Sequence, residues 1–212
     1  MVLYIDTSVW GGYYDKEFQE PTKLFFEEVI NGGHKVIVSV EVMREIIKAP
    51  ERVSGLLVSM LNKTEIILLD QAIISLGNQY IKEGALTELY AGDAFHIACA
   101  TIHKADVLVS WNFTHMVNFF RIKQYNEINR KFGYGNIDIR TPKEVIDKNN
   151  ISKAEEPGAF YWGSINAVQI VRAIRNEHAE LYCKDPSAYI AESNRFTKDF
   201  VEKFFAEKAG KN

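Results

Sequence analysis

The first two thirds of the chain alternate between short apolar runs and longer segments in which apolar residues recur every three or four positions. An apolar run without polar alternation is typical of a strand buried on both faces, whereas the longer spacing is typical of an amphipathic helix. Strands connected by helices across short loops predict a parallel sheet with helices on both faces. The strand-like runs are residues 2–5, 35–39, 64–70, 106–111 and the beginning of 138–146.

The pattern changes after residue 146. Residues 147–164 show no periodicity and include Pro157 and Gly158, whereas residues 165–209 regain helical spacing, interrupted at Asp185-Pro186. Two amphipathic helices bury little surface by themselves, so we expect them to dock on the rest of the protein. We therefore predict, in chain order, a domain at 1–148, a linker at 149–164 and a helical segment at 165–212.

Charge and composition narrow the classes of function. The net charge is −3, so binding of a polyanion requires a local basic patch or a bound cation. The two cysteines have no paired spacing that predicts a disulfide framework or a zinc site. The chain begins without a basic segment followed by a long apolar one, and no window reaches the roughly 18 apolar residues of a membrane span. We therefore expect a cytoplasmic protein without a membrane segment.

Acidic residues gather where the predicted strands end. Asp6 follows the first strand, Glu41 and Glu45 lie in the first turns after the second, and Asp93 begins the helix leading to the fourth. Asn112 follows the fourth strand. The functional crevice of a parallel α/β sheet lies at this edge. Clustered carboxylates repel one another unless a cation neutralises them, and oxygen ligands favour Mg²⁺ or Mn²⁺. The sequence therefore predicts a divalent metal site.

A cation at such a site suits hydrolysis of a phosphodiester bond, because it polarises the phosphoryl group and lowers the pKa of a bound water. Plainer interpretations remain for several residues. Asp6 and Asp93 are also typical caps of the turn or helix that follows them. Glu41 is a typical partner of a helix dipole, so Glu45 is favoured over it as a ligand. His115 has no identifiable partner and is expected at the surface.

Four segments of this chain carry a resemblance to a known family: YIDTSVWGGYYD, VSVEVMREIIKAP, GDAFHIACATIHKADVLVSWNFTHMVN and YGNIDIRTPKEVI. Together, over residues 2–146, they resemble PIN-domain proteins of the VapC toxin type. The resemblance implies a compact PIN-like α/β fold with a central parallel sheet flanked by helices. It also implies Mg²⁺- or Mn²⁺-dependent endoribonuclease activity on RNA, and a homodimer or higher homo-oligomer.

Site residues follow from this resemblance one by one. Asp6, Glu45 and Asp93 match the three metal-binding acids, which together with Asn112 form the expected catalytic set. Many family members have an Asp where this chain has Asn112. An amide oxygen can ligate a metal or orient its water but carries no charge, so we expect weaker metal affinity than with a fourth carboxylate.

The C-terminal segment resembles the short helical antitoxins encoded beside such PIN genes, which place a VR-x-IR helix near their start. In this chain the match puts Arg172 and Arg175 within reach of the acidic pocket, where either would compete with the metal for its carboxylates. The alternative is an ordinary helical extension that completes the core or a dimer interface, with solvated arginines.

Two functions follow from these observations. The first is a metal-dependent endoribonuclease, the toxin of a type II toxin–antitoxin system, whose partner is an antitoxin or its own antitoxin-like helices. The second is an inactive or inhibited PIN module that acts mainly in protein–protein association, as Asn112 and the C-terminal segment suggest.

Overall fold

The computed structural model describes residues 1–146 and 167–209, and its centre is a five-stranded parallel sheet. The strands are β1 (Val2–Ile5), β2 (Lys35–Ser39), β3 (Thr64–Ile67), β4 (Val107–Val109) and β5 (Ile139–Arg140). Their order in the sheet is β3-β2-β1-β4-β5, and each neighbouring pair is parallel. The PIN-like α/β fold expected from the sequence, a central parallel sheet flanked by helices with a helical C-terminal region, is confirmed.

Helices cover both faces of the sheet. They are α1 (Thr7–Gly12), α2 (Gln19–Asn31), α3 (Val40–Lys48), α4 (Glu51–Met60), α5 (Gln71–Lys82), α6 (Ala91–Ile102), α7 (Phe119–Lys131), α8 (Pro142–Ile146), α9 (Ala167–Lys184) and α10 (Pro186–Ala209). No helix in the two described ranges is long and apolar enough to cross a membrane.

The centre of the sheet also positions the site. Leu3, Tyr4 and Ile5 of β1 are 0% exposed, as an apolar run covered on both faces should be. From β1 the chain adds β2 and β3 on one side and then crosses back to add β4 and β5 on the other, so the strand order reverses beside β1. A crevice forms at such a reversal, outside the carboxyl ends of the strands. Asp6 lies there, with its backbone N–H donating to the Val109 carbonyl at 3.0 Å.

Two local elements beside the site depend on single residues. Gly11 and Gly12 lie inside α1, which Asp6 caps. Packing favours glycine at position 12, since a Cβ there would come within 2.8 Å of the Trp111 ring. Helix α7 begins only at Phe119, because a turn closes first on Asn112, whose carbonyl accepts from two later backbone N–H groups.

The C-terminal helices dock on the sheet domain as expected. α9 packs against α1, α3 and α6, and α10 packs against α3 and α9. Val168 and Val171 of α9 are 1% and 0% exposed. The predicted linker, residues 149–164, lies outside the described residues, so the proposed division at 148 stays a prediction.

Candidate active site

Three buried carboxylates come together at the carboxyl edge of the sheet. Asp6 caps α1 directly after β1, Glu45 lies in the second turn of α3, and Asp93 lies in the first turn of α6. They are 0%, 0% and 2% exposed. The structure thus assembles the three acids that the sequence singled out.

Arg175 of α9 joins these carboxylates. Its Nε and one terminal nitrogen donate to the two oxygens of Glu45 at 2.8 and 3.0 Å, a bidentate pair. The terminal nitrogens also donate to Asp6 Oδ1 at 2.5 Å and to Asp93 Oδ1 at 2.6 Å. The arginine is only 4% exposed. A single guanidinium therefore lies between all three acids.

Gly92 allows this approach. A Cβ at that position would come within 2.9 Å of Arg175 Cγ, closer than side-chain atoms normally pack. The residue directly before Asp93 thus leaves room for the arginine stem.

Each acid is also held by polar groups of the sheet domain. Asp6 Oδ2 accepts hydrogen bonds from Ser8 Oγ at 2.5 Å and from Ser110 Oγ at 2.8 Å. Because these hydroxyls bind one oxygen, the other oxygen faces Arg175. Ser110 was not predicted from the sequence, although its place at the end of β4 brings it to the same edge.

Asp93 and Glu45 are held in the same way. The Asn112 side-chain nitrogen donates to both oxygens of Asp93 at 3.2 Å, and His115 Nδ1 lies 3.0 Å from Asp93 Oδ2. His96 Nε2 lies 3.4 Å from Glu45 Oε1. The expectation that His115 lies at the surface is wrong, because the turn after β4 folds it back onto Asp93. The sequence feature that could have indicated this contact is the position of His115 three residues after Asn112. The Asn112 side-chain oxygen accepts from the His115 backbone N–H.

Charge compensation dominates the electrostatics of the cluster. Burial alone would raise the pKa of Glu45, but the positive charge of Arg175 and the contact with His96 hold this pKa well below its ordinary range. Burial likewise opposes ionisation of Asp93, whereas Arg175 and the hydrogen bond from His115 lower its pKa. Burial would lower the pKa of Arg175, yet the carboxylates raise it well above its ordinary value. Glu45 and Asp93 are therefore ionised around a permanently charged arginine.

Two other candidate residues lie apart from this cluster. Glu41 Oε2 accepts from the Tyr189 hydroxyl of α10 at 2.6 Å, so Glu41 faces the C-terminal helices. Arg172 donates to the Trp111 carbonyl at 2.9 Å. It borders a cavity of about 100 Å³ beside the cluster, whose lining also includes Tyr90, Thr114, His115 and Asn176. Of the two arginines expected near the pocket, Arg175 makes the contacts with the acids.

The cluster has the donor chemistry of a site for a hard divalent cation, since three carboxylates supply oxygen ligands. In the arrangement described, the Arg175 guanidinium separates them. Among residues 1–146 and 167–209, no group of three or more His, Cys, Asp or Glu side chains is arranged to hold a metal ion. Arg175 and a cation would thus compete for the same oxygens.

Comparison with known proteins identifies the family. The sequence profile of the PIN domain matches residues 3–112, which include all four predicted catalytic residues. The chain belongs to the PIN-domain family. The assignment of Asp6, Glu45 and Asp93 as metal-binding residues stays a prediction.

More distant similarities add little to this assignment. The search of curated proteins finds no match. A solved structure similar to this chain is VapBC2 from Rickettsia felis bound to a DNA fragment from its promoter. The identity is 15% and the TM-score 0.45, over 66% of this chain and 98% of the other.

Proposed function

We propose that this PIN-domain protein is a metal-dependent endoribonuclease of the VapC toxin type whose own C-terminal helices hold it inactive. The contact between Arg175 and all three acids carries the proposal. Residues 1–148 are the nuclease domain, and residues 165–212 take the place of the antitoxin. The substrate is RNA, cleaved at phosphodiester bonds.

In the active state, Asp6, Glu45 and Asp93 would hold Mg²⁺ or Mn²⁺. Such a cation would supply polarisation of the phosphoryl group and a lowered pKa of a bound water. The protein keeps the acids oriented, since the hydroxyls of Ser8 and Ser110 fix Asp6. Partners of this kind around metal-binding carboxylates commonly determine metal affinity.

Asn112 and His115 orient Asp93 in the same site. Asn112 is therefore a positioning residue whose amide fixes an acid without adding a fourth negative charge. This contact favours an inhibited enzyme over an inactive PIN module, because a degenerate site would not need to keep Asp93 in place.

Arg175 inhibits by substituting for the cation. A guanidinium stays protonated at any physiological pH and binds carboxylates bidentately, as it does at Glu45. While it is bound, the acids are neutralised from within the chain and the position facing the scissile phosphate is blocked. Withdrawal of α9 would free the same oxygens for metal.

The test is cleavage of RNA by the full chain with Arg175→Ala, at fixed Mg²⁺ or Mn²⁺. We expect the rate to rise about tenfold or more, because the competent state no longer requires displacement of the Arg175 guanidinium from the acids. Arg172→Ala is the matched control, since Arg172 lies on the same helix but bonds to the Trp111 carbonyl. Its rate should stay close to that of the wild type.

Asp93→Asn combined with Arg175→Ala should abolish the gained activity, which excludes a contaminating nuclease. If Arg175→Ala folds, binds Mn²⁺ and still cleaves no RNA, the enzyme proposal fails and the association module is favoured.

A further inference from the structure

Two adjacent phenylalanines at the start of α7 are unusually exposed. Phe119 and Phe120 are 77% and 75% exposed, whereas the other exposed large apolar side chains of the described residues reach at most 50%. Their rings lie edge to face, with centroids 5.6 Å apart. Two aromatic faces are thus presented to solvent.

Hydrogen bonds of α7 anchor this pair near the acidic cluster. Asn118 caps α7 through a side-chain oxygen that accepts from the Arg121 backbone N–H at 3.2 Å. Further along α7, the buried Tyr125 donates its hydroxyl proton to the His115 carbonyl at 2.7 Å. Phe119 is four positions after His115, so their Cα atoms are at most about 14 Å apart. His115 itself contacts Asp93.

The surroundings of the pair are polar and basic. Lys123 is exposed one helical turn beyond both rings, on the same face of α7. The helix carries four basic residues and one acidic residue, in a chain whose net charge is −3. The core of a protein–protein interface is usually a larger apolar patch depleted of charge. Two isolated rings beside a lysine are better suited to a nucleic acid, whose unpaired bases can stack on the rings while a phosphate contacts the lysine.

We propose that Phe119 and Phe120 form a stacking platform for unpaired bases of single-stranded RNA, with Lys123 contacting its phosphate backbone. This inference rests on the proposed function and specifies its substrate class. Bases in a duplex are already stacked and leave no face for a protein ring, so the platform selects single strands. Bases held there would lie a few nucleotides along the strand from a phosphate at the acidic cluster.

The test measures binding separately from cleavage. A labelled, unstructured RNA of about 12 nucleotides is titrated with the full chain in EDTA, and fluorescence anisotropy gives the Kd. Phe119→Ala with Phe120→Ala should weaken binding about tenfold or more. Leu24→Ala with Ile30→Ala is the matched control, because these α2 side chains are also exposed, at 50% and 46%. It should bind as the wild type does.

A second variant separates stacking from apolar docking. Phe119→Leu with Phe120→Leu keeps apolar bulk but removes the aromatic faces, so it should lose affinity as the alanine variant does. Lys123→Ala should lower the slope of log Kd against log salt by about 0.7, the value for one phosphate contact on a single strand. A duplex of the same sequence should bind more weakly than the single strand and respond little to these variants.

Unchanged RNA affinity in the alanine variant would overturn the platform. Sedimentation could also overturn it, if the wild type is a dimer, the alanine variant is a monomer and the leucine variant is still a dimer. That pattern would identify a second copy of the chain as the molecule that binds the two rings. Ring-dependent RNA binding without cleavage by Arg175→Ala would instead refute the nuclease and leave the platform in place. Cleavage by Arg175→Ala together with unchanged binding in the alanine variant would refute the platform alone.

Discussion

At Arg175, one side chain donates four hydrogen bonds to three buried acids. A buried ion pair contributes little net stability compared with apolar packing, but removal of one partner is strongly destabilising because it leaves the other charge uncompensated. The effect of removing one of these acids on the free energy of unfolding should therefore depend on whether Arg175 is present.

The effect of Glu45→Gln on the free energy of unfolding should have opposite signs in the wild type and in Arg175→Ala. In the wild type it removes an acid whose ionised form is stabilised by Arg175, so we expect the free energy of unfolding to fall by about 1–3 kcal/mol. In Arg175→Ala the same substitution relieves repulsion from Asp6 and Asp93, so without metal it should stabilise the fold. Denaturant unfolding of all four proteins in EDTA measures the coupling. Equal effects in both backgrounds would mean that Arg175 does not compensate Glu45.

The acids could be predicted from sequence, whereas most of their partners could not. Asp6 and Asp93 were located because the carboxyl ends of parallel strands meet at one edge of the sheet. His115 reaches Asp93 through a turn that local propensity did not predict. Arg172 and Arg175 lie three positions apart on one face of α9, next to its apolar stripe, so the choice between them depends on the rotation with which α9 docks.

At the scale of elements, the docking of α9 leaves a histidine without hydrogen bonds. Both ring nitrogens of His178 lack a partner among the described residues, although the side chain is only 1% exposed. Burial is the main reason that its pKa falls to about 4 from an ordinary 6.5; the charges of Glu45 and Glu177 raise this pKa, and those of Lys48 and Arg44 lower it. The folded protein therefore keeps His178 neutral at a pH where the unfolded chain would protonate it.

This difference predicts a pH-dependent loss of stability. Between pH 6.5 and about 4 the unfolded chain binds more protons at His178 than the folded protein does, so stability falls as pH falls through this window. The Tm of the wild type should therefore drop relative to that of His178→Phe across the window. His103→Ala, at an exposed histidine, is the control and should follow the wild type. A constant difference in Tm between wild type and His178→Phe would show that α9 does not bury a neutral imidazole.

Most strands and helices followed the sequence pattern, and the exceptions have local causes. The five strands fell where apolar runs predicted them, although β4 covers only Val107–Val109 of the expected residues 106–111. Trp111 and Asn112 leave the strand because the Asn112 carbonyl closes the next turn. The spacing of apolar residues does not predict a turn that is closed by the backbone carbonyl of one residue.

At the scale of the whole molecule, the C-terminal helices are both a cover for the core and a source of Arg175. Val171, Tyr182 and Tyr189 are buried against the sheet domain, with exposures of 0%, 8% and 4%. Asn194 of α10 also exchanges hydrogen bonds with the Leu69 backbone at 3.0 and 2.8 Å. The segment therefore covers the core, a role that is compatible with the inhibition proposed for Arg175.

A chain ending at residue 146 should consequently behave differently from a point variant. Loss of α9 and α10 exposes the apolar surface that they cover, so we expect the truncated protein to self-associate. Arg175→Ala keeps that surface covered and should stay as soluble as the wild type. Sedimentation velocity on both samples checks this. A soluble, monodisperse truncated protein would show that α9 and α10 are dispensable for the core.

The central claim is that Arg175 and a divalent cation compete for the same three acids. Calorimetric titration of Mn²⁺ into the full chain tests it most directly, with wild type, Arg175→Ala and Arg172→Ala side by side. We expect Arg175→Ala to bind about tenfold or more tightly than the wild type, because no buried charge has to be displaced. Arg172→Ala should resemble the wild type, and adding Asp93→Asn to Arg175→Ala should remove the gain. Equal Mn²⁺ affinity in wild type and Arg175→Ala would contradict the competition.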